Sequence, residues 1–148
     1  MTKESNMSAT SLCVYVFVYG TLKTGGGNNH LLRDSKSLGE AVTVGDNYTM
    51  RNGGFPMVAA EGISHVKGEL FEVTDPEVLD DLDWLEGVPH HFDRHYTEFK
   101  VLNDEPMFDG EVYGGFMYTA AHENKHYVLQ STYKIVPDAD NNLWWNHK

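Results

Sequence analysis

Apolar positions along this chain fall mostly in short runs or in mixed alternation, and one segment carries a clear helical period. Cys13–Tyr19 is apolar on both faces and rich in β-branched and aromatic residues, which predicts a buried central strand ending at Gly20. Thr21–Asn29 follows as a loop, with Gly25, Gly26 and Gly27 in succession. Asn29–Leu38 predicts a short helix, Ala41–Met50 a strand, and Asn52-Gly53-Gly54 a turn. Phe55–Ala60 and Ser64–Val73 predict two further strands, separated by Glu61-Gly62.

The helical segment comes next. Thr74 or Asp75 is placed to cap free N–H groups, Pro76 fits the first turn, and Glu77 suits the positive helix end. Val78, Leu79, Leu82 and Leu85 form the apolar stripe, and Gly87 and Pro89 stop the helix. Tyr96–Leu102 and Glu111–Tyr118 predict strands joined through Asn103–Gly110, and Thr119–Ser131 predicts a second helix. Strands outnumber helices without a regular β-α alternation, which argues for the α+β class: a mostly antiparallel sheet or small barrel with a few helices. Residues 1–11 are small and polar and predict a flexible tail, and 12–148 a single domain without internal repeats.

Composition narrows the function. The 148 residues suffice for one core, since a domain of ~150 residues buries ~68–70% of its unfolded surface. With 22 acidic against 11 basic residues the formal charge is −11, which disfavours nucleic acid and anionic membranes as partners. The single cysteine, Cys13, excludes an intramolecular disulfide and points to a reducing, cytoplasmic setting. Its place in the apolar run predicts a packing role. That run is too short to span a membrane, and with Glu4 ahead and no cleavage site behind it does not read as a signal peptide.

Several groups could carry chemistry. Tyr19-Gly20-Thr21-Leu22 leaves the first strand abruptly; it is either a plain glycine turn or a nest of N–H groups for an anion. Gly26-Gly27 stand where a Walker loop needs Lys and Ser/Thr, so the loop is no nucleotide cradle of that kind. Glu86 closes the predicted helix, where the dipole disfavours an anion. It is either a solvated surface residue or a general base desolvated by Trp84, Phe92 and Phe55. His122-Glu123-Asn124-Lys125-His126 matches H-E-x-x-H, the basis of a rival zinc-hydrolase reading, but its helix signal is weak and no third ligand stands out. His90, His91 and His95 read as surface or pocket-rim residues, and Trp144-Trp145 as packing. Asp138–Asn142 resembles the opening of an EF-hand loop but has Leu143 where glycine is required.

In their order, Tyr19-Gly20-Thr21-Leu22-Lys23, Asn29-His30, Phe55-Pro56, Val66–Val73, Leu82-Asp83-Trp84-Leu85-Glu86-Gly87, Phe92-Asp93-Arg94 and Gly115-Phe116-Met117-Tyr118 resemble the γ-glutamylcyclotransferase-like (AIG2-like) family. The likeness runs from about Phe17 to about Tyr118, and Asn29-His30 is most similar to the γ-glutamylamine cyclotransferase branch. The resemblance implies a small mixed, mostly antiparallel β-barrel with flanking helices and a pocket at the end of the first strand. It implies that Tyr19, Gly20, Thr21 and Leu22 bind the substrate and that Glu86 is the catalytic acid/base. Phe92 stands where many members carry a pocket-lining Tyr, so a hydroxyl is missing there. The implied activity releases 5-oxoproline and an amine from a small γ-glutamyl substrate, with neither cofactor nor metal. The same fold could instead serve a non-catalytic binding or regulatory protein. The leaving amine, the oligomeric state and the role of the segment after Tyr118 stay open.

Overall fold

The computed structural model describes residues 13–102, 110–130 and 133–145. The tail expected over 1–11, most of the connection expected over 103–110, and Ser131 at the end of the expected second helix lie outside these residues. The strands are β1 (Val14–Val18), β2 (Lys36–Thr43), β3 (Tyr48–Asn52), β4 (Pro56–Val73), β5 (Phe92–Val101), β6 (Val112–Ala120), β7 (Tyr133–Lys134) and β8 (Asn142–Leu143). Helix α1 (Pro76–Leu85) lies between β4 and β5, and α2 (Lys125–Gln130) follows β6. The architecture is the expected α+β class: among the described residues, a large, mostly antiparallel sheet with two α-helices.

β1 is the strand around which the sheet turns. It pairs antiparallel with β4 on one side and parallel with β6, at Val16 and Phe116, on the other. The ladder continues from β6 to β5, β2 and β4, so the pairings of these five strands return to their start. Side-chain alternation along β1 then serves two cores. Val16 and Val18 join Phe71, Val73, Val78, Leu82 and Phe92 in a cluster that includes the α1 stripe. Phe17 and Tyr19 join Tyr48, Leu70, Phe99 and Met117 in a second cluster, where the Phe17 and Phe99 rings stack at 4.6 Å. A strand with two buried faces has no polar side, which is why its sequence is apolar throughout.

Several elements depart from expectation for local reasons. Asn29–Leu38 forms only a 3-10 turn over Asn29–Leu32, and Lys36–Leu38 lie in β2, where Lys36 and Ser37 pair with β4 and tertiary ladder bonds outweigh a weak helical preference. Ala41–Met50 is broken between Thr43 and Tyr48 into β2 and β3. The two strands expected from Phe55 to Val73 are one long strand, β4, interrupted in register rather than in direction. Tyr48 opposes Ser64 while Thr49 opposes Ala59, so Ala60–Ile63 bulge from the ladder, Glu61-Gly62 among them. The expected strand at Tyr96 starts at Phe92, and β6 runs on to Ala120, so the second helix begins late: a 3-10 turn at His122–Asn124 precedes α2. Cys13 is exposed ahead of β1, its thiol donating to Glu72 at 3.4 Å, and does not pack in the core.

β1 approaches β4 closely at Gly68, where a Cβ would lie 2.3 Å from the Val18 carbonyl oxygen and 2.9 Å from the Phe17 ring. Neither backbone can yield without opening the ladder. Gly68→Ala is therefore expected to lower the unfolding free energy by about 1–3 kcal/mol. Urea denaturation checks this; an unchanged midpoint would mean that the strands separate freely here.

Candidate active site

Where β1 ends, a cavity of about 340 Å3 opens between the sheet and the end of α1. Phe17–Leu22, Asn28, Phe55, Pro56, Leu85, Glu86 and Tyr118 line it. Gly20 permits the exit from β1, since any Cβ there would meet the Pro56 ring at 2.6 Å. The loop then folds on itself. The Lys23 amide donates to Gly20 O (3.0 Å), Gly26 N to Lys23 O (2.8 Å), and Asn28 N to Thr21 O (2.9 Å). The Asn28 and Asn29 side chains add bonds to Thr21 Oγ1 and Leu22 O, each at 2.9 Å. Gly26 is required for closure, because a Cβ would sit 2.2 Å from the Thr21 carbonyl oxygen. Among the described residues, no group accepts from the Thr21 and Leu22 amides, so the loop keeps donors for a ligand.

Glu86 faces this loop because of how α1 ends. Asp75 caps the start, accepting from the Glu77 amide, and Pro76 occupies the first turn. At the other end Gly87 adopts φ +67°. Its amide donates to Trp84 O (3.2 Å) and the Val88 amide to Asp83 O (3.0 Å), the paired bonds of a Schellman ending. Glu86 is thereby the C-cap, half-buried at the cavity wall. Among the described residues no donor or cation reaches its carboxyl. Burial is thus unopposed and pushes its pKa up from 4.5 to about 7.

Trp84, expected to desolvate Glu86, is instead 84% exposed on the outer side of α1. Tyr19 and Tyr118 stand close instead. Burial, reinforced by the charge of Glu86, pushes the Tyr19 hydroxyl upward; the Tyr118 hydroxyl rises through burial and its bond to Asp83. Both phenols therefore stay neutral. They are also held: the Tyr19 hydroxyl donates to the Tyr118 carbonyl, and the Tyr118 hydroxyl to Asp83 Oδ1 at 2.7 Å. Asp83 Oδ2 pairs with Arg94 at 3.3 Å. Sequence reasoning missed this brace. Its signal was the spacing Leu79, Leu82, Asp83, Glu86, which sets both carboxyls on the inner side of the helix.

The structure brings Tyr19, Gly20, Thr21, Leu22 and Glu86 to one cavity, but not Phe92, which is buried in the core cluster with Val78 and Leu82. The other candidates lie elsewhere. His90 bonds Glu123 at 2.9 Å, and among the described residues no three His, Cys, Asp or Glu side chains converge as a metal site. Asp138 Oδ1 accepts from the Asp140 and Asn142 amides and shapes a turn. Among the described residues no helix is long and apolar enough to cross a membrane.

A desolvated carboxyl and backbone donors that share an apolar cavity, neither with a partner among the described residues, are the equipment of a small acid/base enzyme. The chain belongs to the γ-glutamyl cyclotransferase, AIG2-like family, whose profile matches residues 16–135, and it is an enzyme of that kind. It is similar to γ-glutamylaminecyclotransferase A of Danio rerio, 30% identical over 141 residues, 88% of this chain and 84% of the relative. It is 35% identical to γ-glutamylaminecyclotransferase of Mus musculus over 120 residues, 72% of this chain and 78% of the relative. The crystal structure of an AIG2-like protein from Mus musculus superposes with a TM-score of 0.66 at 28% identity, over 82% of this chain and 85% of that one.

A carboxyl raised by burial makes the protein less stable as it ionises. Its folded-state pKa lies above the unfolded one, so wild type loses stability as pH rises from 4.5 to about 7. The full shift corresponds to about 3 kcal/mol. Glu86→Gln escapes this cost and is expected to be more stable than wild type by about 1–3 kcal/mol at pH 8, with little difference at pH 5. Unfolding free energies at both pH values check this; a difference independent of pH would mean the carboxyl is not desolvated.

Proposed function

We propose that this enzyme releases 5-oxoproline and a free amine from a γ-glutamyl amine or γ-glutamyl peptide, with Glu86 as acid/base. The reading is carried by one observation: a buried carboxyl that, among the described residues, has no protein partner, in an apolar cavity beside amides that no described group accepts from. The substrate's α-amine attacks its own γ-carbonyl, closing a five-membered ring. Both reactants belong to one molecule, so the cavity need only hold the folded conformer. The ammonium form has no lone pair, so the α-amine reacts after losing one proton to solvent, and Glu86 takes a second as the new C–N bond forms. It returns that proton to the departing nitrogen as the old C–N bond breaks. Tyr19, Gly20, Thr21 and Leu22 hold the glutamyl part, and the Thr21 and Leu22 amides are available to a carboxylate or to the developing oxyanion. Phe92 contributes only by packing from behind. A neighbouring cavity of about 380 Å3 shares Asn28 and Leu85 with the first and is completed by His30, Leu31, Asp81 and Trp84. Adjoining the first cavity through Asn28 and Leu85, it offers room for the leaving amine.

The test is 5-oxoproline release from a panel of γ-glutamyl amines and peptides, with wild type and Glu86→Gln side by side. Wild type is expected to turn over at least one member, and Glu86→Gln to lose activity by 100-fold or more, on the order of a general base's contribution. Only ionised Glu86 accepts a proton, so kcat/KM is expected to rise as pH passes about 7. Undiminished release by Glu86→Gln would remove Glu86 from the chemistry; release from no substrate would favour a binding protein on the same fold.

A further inference from the structure

Lys23 follows the proposed substrate loop directly, yet its side chain leaves on the side away from the cavity. It borders a separate hollow of about 410 Å3, together with Thr24, Gly39, Glu40, Gly68, Glu69 and Trp144. Lysine is rarely buried, and this one is 4% exposed. Two contacts from the far end of the chain hold it. Its ammonium donates to the Trp145 carbonyl and lies 3.5 Å from the centre of the Trp144 ring. Lys67 stands farther out over the same ring at 5.5 Å and pairs with Glu40 at 3.6 Å. Burial pulls the Lys23 pKa down to about 8, while the charges of Glu69 and Glu40 oppose that fall.

The segment that supplies these contacts is itself anchored. β8 pairs with β4 at His65 and Val66, Leu143 is buried in the Phe17 cluster, and Trp145 packs against that cluster. The next loop residue is tied as well: Glu69 accepts from the Thr24 amide and hydroxyl, both at 2.7 Å, and from Ser37 Oγ at 2.6 Å. The loop is thus gripped from behind at two successive residues, while the Thr21 and Leu22 amides in front have no acceptor among the described residues.

We infer that Lys23 and Trp144 are positioning residues, a clamp by which Asn142–Trp145 sets the Tyr19–Leu22 loop for substrate. The role in turnover rests on the cyclotransferase reading; the mechanical claim does not. Cation–π contact needs the ammonium charge and the indole face together. Arginine can replace the lysine at such a contact and phenylalanine can partly replace the tryptophan, whereas methionine or alanine cannot.

The test compares wild type with Lys23→Met, Lys23→Arg, Trp144→Ala, Trp144→Phe and the Lys23→Met/Trp144→Ala pair. The first readout, amide hydrogen exchange at Lys23, Gly26 and Asn28, requires no activity. These amides are expected to exchange roughly tenfold faster in Lys23→Met and Trp144→Ala, with β5 and β6 unchanged and with recovery in Lys23→Arg. The second readout is steady-state 5-oxoproline release: KM is expected to rise more than kcat falls, and the double variant to do little worse than Lys23→Met alone. In wild type KM is also expected to climb above about pH 8, as Lys23 loses its proton, and that climb is expected to vanish in Trp144→Ala. Unchanged loop exchange in Lys23→Met, or two single effects that simply add, would overturn the clamp. Failure of wild type to release 5-oxoproline would overturn its role in turnover, while exchange would still decide whether the clamp exists.

Discussion

The pairing of β1 with β4 on one side and β6 on the other is the constraint from which the rest follows. It buries both faces of β1, so Val16 and Val18 serve the helix-side core while Phe17 and Tyr19 serve the other. It also fixes where the strand must stop. Beyond Val18 the chain meets Pro56, and only a glycine at position 20 lets the backbone pass. The cavity is the space left where a doubly paired strand ends and the chain turns away. A pocket at the edge of a rigid sheet keeps its shape without a ligand, as positioned donors require.

Opposite that strand end stands a group the fold does not stabilise. Glu86 is taken from water, receives no protein hydrogen bond among the described residues, and caps the negative end of a helix. Each of these disfavours its charged form, and together they explain a carboxyl poised near neutrality. The surrounding structure bears that cost through ordinary means: the Asp75 cap, the Gly87 ending, and the Leu82 and Val78 packing of α1. Local destabilisation held in place by a well-made neighbourhood is a frequent arrangement at reactive sites.

The polar side chains around the cavity work mainly on one another. The path from Tyr19 through Tyr118 and Asp83 to Arg94 ties β1, β6, α1 and β5 together beside Glu86. Lys23 does the same behind the loop with Trp144 and Trp145. The hydrogen bonds in these paths restrict motion, while the buried Trp145 indole N–H finds no acceptor among the described residues. Precision at the site therefore draws on residues up to 122 positions apart in the chain.

Much of this was legible in the residues. The doubly apolar β1, the α1 stripe with its cap and stop, and the unfavourable place of Glu86 all follow from neighbours within a few positions, and local physics is what a sequence displays directly. What came only with the tertiary structure were relations between distant segments. β4 proved to be one strand with a bulge because its register against β3 decides that, and Asn29–Leu38 lost its helix to a strand ladder. Trp84 turned outward, Phe92 went into the core, and Tyr118 took the place beside Glu86 that those two were expected to fill. The sequence named the carboxyl; its environment depended on which side chains from other elements point at it, a property that exists only once the chain is folded.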